Sequence, residues 1–94
     1  MDEDLAFDRD EANIAHIRHH GIAPDEVVQV FANDASDLRY EVVNGEERWT
    51  SIGHTGALRI LVVMWTMRGE SVRTVTAFDA GKRLAAEYVM QRGW

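Results

Sequence analysis

Apolar residues in the first third of the chain recur every three or four positions, which is the spacing of one helix face. Asp10, a residue type that caps helix N-termini, opens the first such run, and Gly21 ends it. Pro24, which suits a first helical position, opens the second run, and the polar stretch from Asn33 ends it. The apolar stripe of this second helix consists of Val27, Val30 and Phe31. The pattern predicts two short N-terminal helices.

From Leu38 onward the apolar residues alternate with polar ones, which is the period of a half-buried strand. Asn44-Gly45 is a strong signal for a tight hairpin between the first two strands. The later strands are predicted at Glu46–His54, Leu58–Met67 and Ser71–Phe78. The third of the four strands is apolar on both faces, so it is expected to be central and covered.

A last helix is predicted after Asp79, which is placed to cap it. Its apolar residues at helical spacing are Leu84, Ala85, Tyr88 and Val89. The expected fold class is therefore α+β, with two N-terminal helices, a four-stranded antiparallel meander and a C-terminal helix. We expect one domain over residues 1–94, with residues 1–8 as a loose segment whose Leu5 and Phe7 are available to pack against it.

Composition excludes several classes of protein. The 94 residues include no cysteine, so a disulfide framework and a thiolate metal site are ruled out. The longest mostly apolar stretch, Ala57–Met67, is interrupted by Arg59 and is far shorter than the roughly 20 residues that cross a bilayer. The acidic start lacks the basic residues of a signal peptide. These features favour a cytoplasmic protein.

The net charge of −6 is distributed unevenly along the chain. Residues 1–47 carry thirteen acidic and three basic residues, whereas residues 48–94 carry three acidic and seven basic ones. This asymmetry indicates a basic working surface supplied by the second half. The alternative is that the two halves pair with each other within the fold.

Four arginines in the predicted sheet are candidates for phosphate recognition: Arg48, Arg59, Arg68 and Arg73. Strict alternation would place Arg73 on one face with Ser71, Val75 and Ala77, and would bring Arg68 to the same sheet end. Planar, permanently charged groups arranged in this way can stabilise a pentavalent phosphate transition state. The alternative is a solvated face with ion pairs to neighbouring glutamates.

Histidines and tryptophans offer further candidates. His16, His19 and His20 have the spacing of a helical metal site, and the alternative is a cluster of surface histidines. His54, at the end of the second strand, is a candidate general acid or base or simply an exposed histidine. Trp49 and Trp65 either stack on a nucleic-acid base or belong to the core or to an interface of the predicted sheet.

Short motifs in both halves together resemble the BrnT family of toxins. In the first half these are Asp10–Ile17, His20–Ile22, Pro24–Val27 and Val30-Phe31. In the second half they are Gly45–Arg48, Ile52-Gly53, Arg59, Leu61–Val63, Thr66–Glu70, Val72-Arg73 and Glu87-Tyr88. The resemblance extends from about Phe7 to Tyr88 and so covers nearly the whole chain.

The resemblance implies a small RelE-like fold and the activity of a ribonuclease toxin, of the mRNA interferase type, from a type II toxin–antitoxin pair. Such a toxin cuts RNA in the cytoplasm without a metal ion or other cofactor. The implied partner is a BrnA-like antitoxin with a ribbon-helix-helix DNA-binding part. That antitoxin neutralises the toxin and represses the shared operon, so the toxin meets DNA only through it.

The resemblance also assigns candidate site residues. Arg68 and Arg73 are the candidates for stabilising the phosphate during catalysis, with Arg59 close to them in strand order. The candidates for substrate binding are His54, Lys82 and Arg83.

Some positions depart from the family pattern. Phe78 follows Thr76-Ala77 where the family usually has arginine, and His54 follows Gly53 where the family also has arginine. Arg9 stands in place of a tryptophan, and few basic residues remain in the last helix. The alternative function is therefore a catalytically attenuated or silent module that keeps the fold and a protein partner.

Overall fold

The computed structural model describes residues 5–94 and has an α+β fold, as the sequence predicts. Its strands are β1 (Ala6–Asp8), β2 (Ser36–Val43), β3 (Glu46–His54), β4 (Ile60–Arg68) and β5 (Ser71–Asp79). Its helices are α1 (Glu11–His19), α2 (Pro24–Ala32) and α3 (Lys82–Gln91). None of the helices in this described part of the chain is long and apolar enough to cross a membrane.

The two N-terminal helices begin where the sequence predicts. The Asp10 carboxylate accepts hydrogen bonds from the backbone N–H groups of Ala12 and Asn13, at 2.9 and 3.3 Å, which satisfies two donors that a helix start leaves unpaired. Pro24 is the first residue of α2. The predicted cap of α1 and the predicted start of α2 are confirmed.

The Asn44-Gly45 turn sets the register of the β2–β3 hairpin. Both residues have positive φ, 52° for Asn44 and 79° for Gly45, which is the conformation of a type I′ turn. Strand β3 has the predicted bounds, and β4 lies between β3 and β5 near the middle of the sheet. The prediction of a central third strand in the meander is confirmed, and its residues Leu61, Val62 and Val63 are buried.

The sheet has a fifth strand that the sequence analysis missed. Its order is β1-β5-β4-β3-β2, and β1 pairs with β5 in parallel, so the prediction of a purely antiparallel four-stranded sheet is wrong. The loose segment predicted for residues 1–8 includes this strand at residues 6–8, while residues 1–4 lie outside the described part. Three residues are too few to show a period of two. Phe7 holds the strand in place by packing edge-on against Phe31 at 5.6 Å between ring centroids.

The start of the last helix also differs from the prediction. Helix α3 begins at Lys82 after Gly81, which provides no side-chain cap. Asp79 is instead the last residue of β5, and both of its carboxylate oxygens are bound by Arg59. The sequence could not reveal that an arginine distant along the chain binds this carboxylate.

Helices cover both faces of the sheet. Helices α1 and α2 pack Ile17, Val27 and Val30 against Leu61, Val63 and Ala77 on one face. Helix α3 packs Leu84 and Tyr88 against Ile52, Ile60 and Val62 on the other. We call these the α1/α2 face and the α3 face.

Gly53 allows α2 to approach the sheet closely. A Cβ atom at this position would lie 2.6 Å from Val30 Cγ1 and 3.2 Å from the Val30 carbonyl oxygen. Only glycine fits without movement of the helix, because real contacts of this kind do not fall below about 3 Å.

Candidate active site

Three arginines from different strands lie on the α3 face. Arg73 of β5 pairs with Thr66 of β4, and Arg68 pairs with Ser71, which is two residues from Arg73 on the same strand. Continuing the β3–β4 register by one residue beyond Trp49 and Trp65 places Arg48 opposite Thr66. Residues that face each other across strands, and residues two apart on one strand, share a face. The register therefore brings Arg48, Arg68 and Arg73 together, and we call this surface the arginine face.

A bulge in the sheet changes part of the predicted arrangement. The β4–β5 register shifts between Met64 and Trp65, so that Thr74 and Thr76 have partners and Val75 does not. Ala77 pairs with Val63, and it therefore faces α1 and α2. The prediction that Arg73 shares a face with Ala77 is wrong, because the extra residue reverses the alternation between them.

Thr66 lies between Arg48 and Arg73 in the floor of the arginine face. Its side chain is buried, and its hydroxyl donates a hydrogen bond to the Glu47 carbonyl oxygen at 2.6 Å. Two strand spacings of about 4.8 Å separate the backbones of Arg48 and Arg73. Arg48 and Arg73 therefore flank Thr66 on the same face of the sheet.

The three guanidinium groups have different surroundings. Arg68 is exposed, and its Nη1 lies 3.0 Å from Asp8 Oδ2 and 3.7 Å from Asp10 Oδ2. Arg48 donates from Nε to Glu46 Oε1 at 2.9 Å. The Arg73 Nε is enclosed and has no hydrogen-bond partner among the residues that the structure describes. Buried donors without an acceptor are rare in proteins.

Arg59 is not part of the arginine face. It precedes β4, whereas Arg68 ends that strand, so nine strand residues of about 3.3 Å each separate them by roughly 30 Å. Its Nε and Nη2 donate to the two Asp79 carboxylate oxygens at 2.7 and 2.9 Å. Its Nη1 donates to Glu26 Oε1 at 3.0 Å and to the Gly21 carbonyl oxygen at 2.9 Å. The placement of Arg59 beside Arg68 and Arg73 is therefore wrong, and these contacts make Arg59 a clamp between α2 and the sheet.

His54 lies at the far end of β3 and is also separate from the arginine face. Its Nδ1 is 2.7 Å from the Tyr88 hydroxyl, and its ring lies 4.8 Å from that of Trp94. Burial lowers the pKa of His54, and the nearby positive charge of Arg92 lowers the same pKa further. Six strand residues, or roughly 20 Å, separate His54 from Arg48. The structure thus places this candidate substrate-binding residue in an aromatic cluster under α3.

The remaining predicted substrate-binding residues lie at the start of α3. Lys82 and Arg83 are exposed, and the Arg83 Nε is 3.9 Å from Glu87 Oε2. Phe78, where the family pattern has arginine, pairs with Val62 and so shares a sheet face with Arg73. The β4 partners of Phe78 and Arg73, Val62 and Thr66, are four residues apart, so roughly 13 Å of strand separates Phe78 from Arg73.

The N-terminal histidines do not form a metal site in the described part of the chain. His16 contacts His20 at 5.2 Å between ring centroids, and its Nε2 lies 3.0 Å from the Thr76 hydroxyl. Within residues 5–94 no group of three or more histidine, aspartate or glutamate side chains is arranged to hold a metal ion. The aromatic residues Trp49 and Trp65 stack on each other at 4.7 Å on the α1/α2 face.

The arginine face brings three guanidinium groups and two carboxylates together. Arg48 and Arg73 flank the position above Thr66, and Arg68 lies beside them. The carboxylates of Glu46 and Asp8 contact Arg48 and Arg68. Arg48 is one of the four predicted sheet arginines but was not predicted as a site residue. Its position beside Arg68 and Arg73 follows from the strand register and not from its spacing along the chain.

A comparison with models of known protein families agrees with the sequence resemblance. A family model described as "Ribonuclease toxin, BrnT, of type II toxin-antitoxin system" matches residues 7–83. The matched range includes the whole sheet from Phe7 onward and all three residues of the arginine face. Comparison with curated proteins gave no match.

Proposed function

The chain belongs to the BrnT family of ribonuclease toxins of type II toxin–antitoxin systems, and on this basis we propose that it cleaves RNA at the arginine face without a metal ion. The main support for the proposal is that Arg48, Arg68 and Arg73, which belong to three adjacent strands, lie on the same face of the sheet. Charge-assisted hydrogen bonds from arginine to phosphate are strong, which favours this face as the surface that binds RNA.

The proposed reaction uses the ribose next to the scissile phosphate as the nucleophile. The 2′-oxygen forms a bond to phosphorus while the bond from phosphorus to the 5′-oxygen breaks, which yields a 2′,3′-cyclic phosphate and a 5′-hydroxyl. The 2′-hydroxyl proton passes to a carboxylate on this face, Glu46 or Asp8, and the departing 5′-oxygen takes a proton from water. The arginines stabilise the negative charge that develops on the phosphorane oxygens.

The antitoxin and the cellular location follow from the same proposal. We propose a BrnA-like antitoxin with a ribbon-helix-helix part as the partner, in the cytoplasm where RNA is translated. The candidate substrate-binding residues Lys82 and Arg83 remain available on the exposed start of α3 to bind neighbouring RNA phosphates. Contacts of that kind weaken with added salt.

The test is cleavage of a defined single-stranded RNA by the purified protein at low salt, with a chelator present throughout. The proposal predicts cyclic phosphate ends that are unaffected by the chelator. Intact RNA at all protein concentrations, or cleavage that stops when the chelator is added, would contradict it.

Phe78 favours the second candidate function, an attenuated or silent module, because it is an exposed apolar side chain on the same sheet face as Arg73, where the family pattern has arginine. If Phe78 limits activity, Phe78→Arg adds a cation to this face and should raise the cleavage rate about tenfold, a modest share of what one well-placed donor contributes. Phe78→Gln is the matched control, since it adds polarity without charge. Equal rates for the two variants would show that charge at this position does not matter.

A further inference from the structure

The α1/α2 face carries an apolar groove that the helices leave uncovered. It has a volume of about 230 Å³ and lies beyond the end of α2, with Phe31, Trp65, Met67 and Val72 among its lining residues. Exposed apolar side chains extend it along the sheet, with Met67 40% exposed and Val42 58% exposed. Contiguous apolar surface of this kind commonly marks a protein interaction site.

An aromatic ladder forms the floor of this surface. Tyr40 of the edge strand lies 5.5 Å from Trp49, Trp49 stacks on Trp65 at 4.7 Å, and Trp65 meets Phe31 edge-on at 5.2 Å. Neighbours in sequence point to opposite faces of a strand, so this ladder lies on the reverse of the sheet from Arg48 and Thr66. Rigid aromatic side chains of this type are enriched among the residues that contribute most to binding energy in interfaces.

Carboxylates surround the ladder and the groove. Asp34 and Asp37 line the groove, and Glu47 accepts a hydrogen bond from the Tyr40 hydroxyl at 2.7 Å. Lysine and arginine are absent from the described residues that line the groove. An acidic rim favours encounter with a positively charged partner and disfavours nucleic acid.

A hydrogen-bonded chain fixes one side of the groove. The Trp65 indole N–H donates to the Ser51 hydroxyl at 2.9 Å, and that hydroxyl donates to Asp37 Oδ1 at 2.7 Å. Ser51 is fully buried, and these hydrogen bonds link Trp65 in the floor of the groove to Asp37 in its acidic rim across adjacent strands. A binding surface held in one conformation before the partner arrives loses little entropy on binding.

We propose that this groove, with its aromatic ladder and acidic rim, binds a segment of the antitoxin that presents large apolar side chains flanked by lysine or arginine. The identity of the partner rests on the proposed function, whereas the location and chemistry of the surface rest on the contacts above. The groove and the arginine face lie on opposite sides of the sheet. The segment in the groove therefore anchors the antitoxin on the face opposite the arginines.

The test measures binding of the purified product of the adjoining reading frame to the full chain by titration calorimetry. Met67→Lys should weaken binding about 30-fold or more, because it replaces an apolar contact in the groove with a positive charge that repels the basic residues of the bound segment. Met90→Lys is the matched control, since Met90 is 78% exposed on α3, and it should leave the affinity within about threefold.

A double variant tests the acidic rim. Asp34→Asn combined with Asp37→Asn removes two charges with almost no change of shape, and should weaken binding about three- to tenfold at low salt and flatten the salt dependence. Asparagine at 37 keeps an acceptor for Ser51, and asparagine at 34 tolerates the positive φ of 63° found there.

The outcomes separate this inference from the nuclease proposal. Binding that is weakened by Met67→Lys but not by Met90→Lys supports the groove, whether or not the chain cleaves RNA. Unchanged binding to the Met67→Lys variant overturns the inference, and so does failure of the adjoining product to bind at micromolar concentration. Self-association that Met67→Lys abolishes while antitoxin binding persists would assign the groove to a second copy of this chain and would also overturn it.

Discussion

Arg73→Ala is expected to lower the rate of RNA cleavage by about 10²–10³-fold, the typical cost of removing one preorganised donor that stabilises developing negative charge. Arg48→Ala should cause a loss of similar size, because Arg48 flanks Thr66 from the other side. Both effects should appear mainly in kcat, since the guanidinium groups act most strongly on the charge of the phosphorane. The measurement is single-turnover cleavage of a defined RNA.

The control for these variants is Arg18→Ala, which removes an exposed arginine from α1 on the opposite side of the sheet. Circular dichroism of each variant checks that the fold is retained. If Arg48→Ala and Arg73→Ala cleave RNA as fast as the native chain, the arginine face has no part in the mechanism. Equal losses in all three would indicate a general effect of charge on RNA binding.

Arg59→Ala is expected to lower the free energy of unfolding by about 2–3 kcal/mol, because it breaks a partly exposed network of charged hydrogen bonds. The change leaves two carboxylates, Asp79 and Glu26, without their shared cation. It also removes a donor from the Gly21 carbonyl oxygen in the loop between α1 and α2. Chemical denaturation measures the loss directly.

The loss of stability caused by Arg59→Ala is also expected to depend on pH. Arg59 holds the pKa of Asp79 below its ordinary value. The stabilisation is therefore fully present above the unfolded aspartate pKa of about 3.9 and is lost as the pH falls through the lower folded pKa. The difference between the native chain and Arg59→Ala should shrink in acid.

Arg39→Ala is the matched control for Arg59, since it removes an exposed ion pair to Glu41 at 3.2 Å. A surface pair of this type is worth less than about 1 kcal/mol. Equal stabilities of the two variants, or a loss at Arg59 that does not depend on pH, would contradict the role of Arg59 as a clamp.

Local signals predicted most of the fold. Asp10, Pro24 and Asn44-Gly45 act through backbone geometry within a few residues, so their consequences could be derived from the sequence alone. Strand β1 could not be derived in this way, because its three residues are ordered by pairing with a strand more than sixty positions later. The cap of α3 was mispredicted for a related reason, since Arg59 already binds Asp79.

The candidate site was predicted less completely than the fold. Arg68 and Arg73 share a face as expected, because the turn between β4 and β5 is short and the pairing near it is regular. Arg59 was misplaced because it lies in the same strand region as Arg68 but at the opposite end. Arg48 became a site residue only through the β3–β4 register, and the β5 bulge altered which residues accompany Arg73.

The account depends most on the claim that an RNA phosphate binds between Arg48 and Arg73. Arginine Nε–H groups give separate nitrogen–proton NMR signals, and these can be followed while a dinucleotide that carries a 2′-O-methyl group, and so cannot be cleaved, is added. The account predicts that the Nε–H signals of Arg48 and Arg73 shift together and saturably. Unchanged signals from both arginines, with shifts confined to other basic residues, would contradict it.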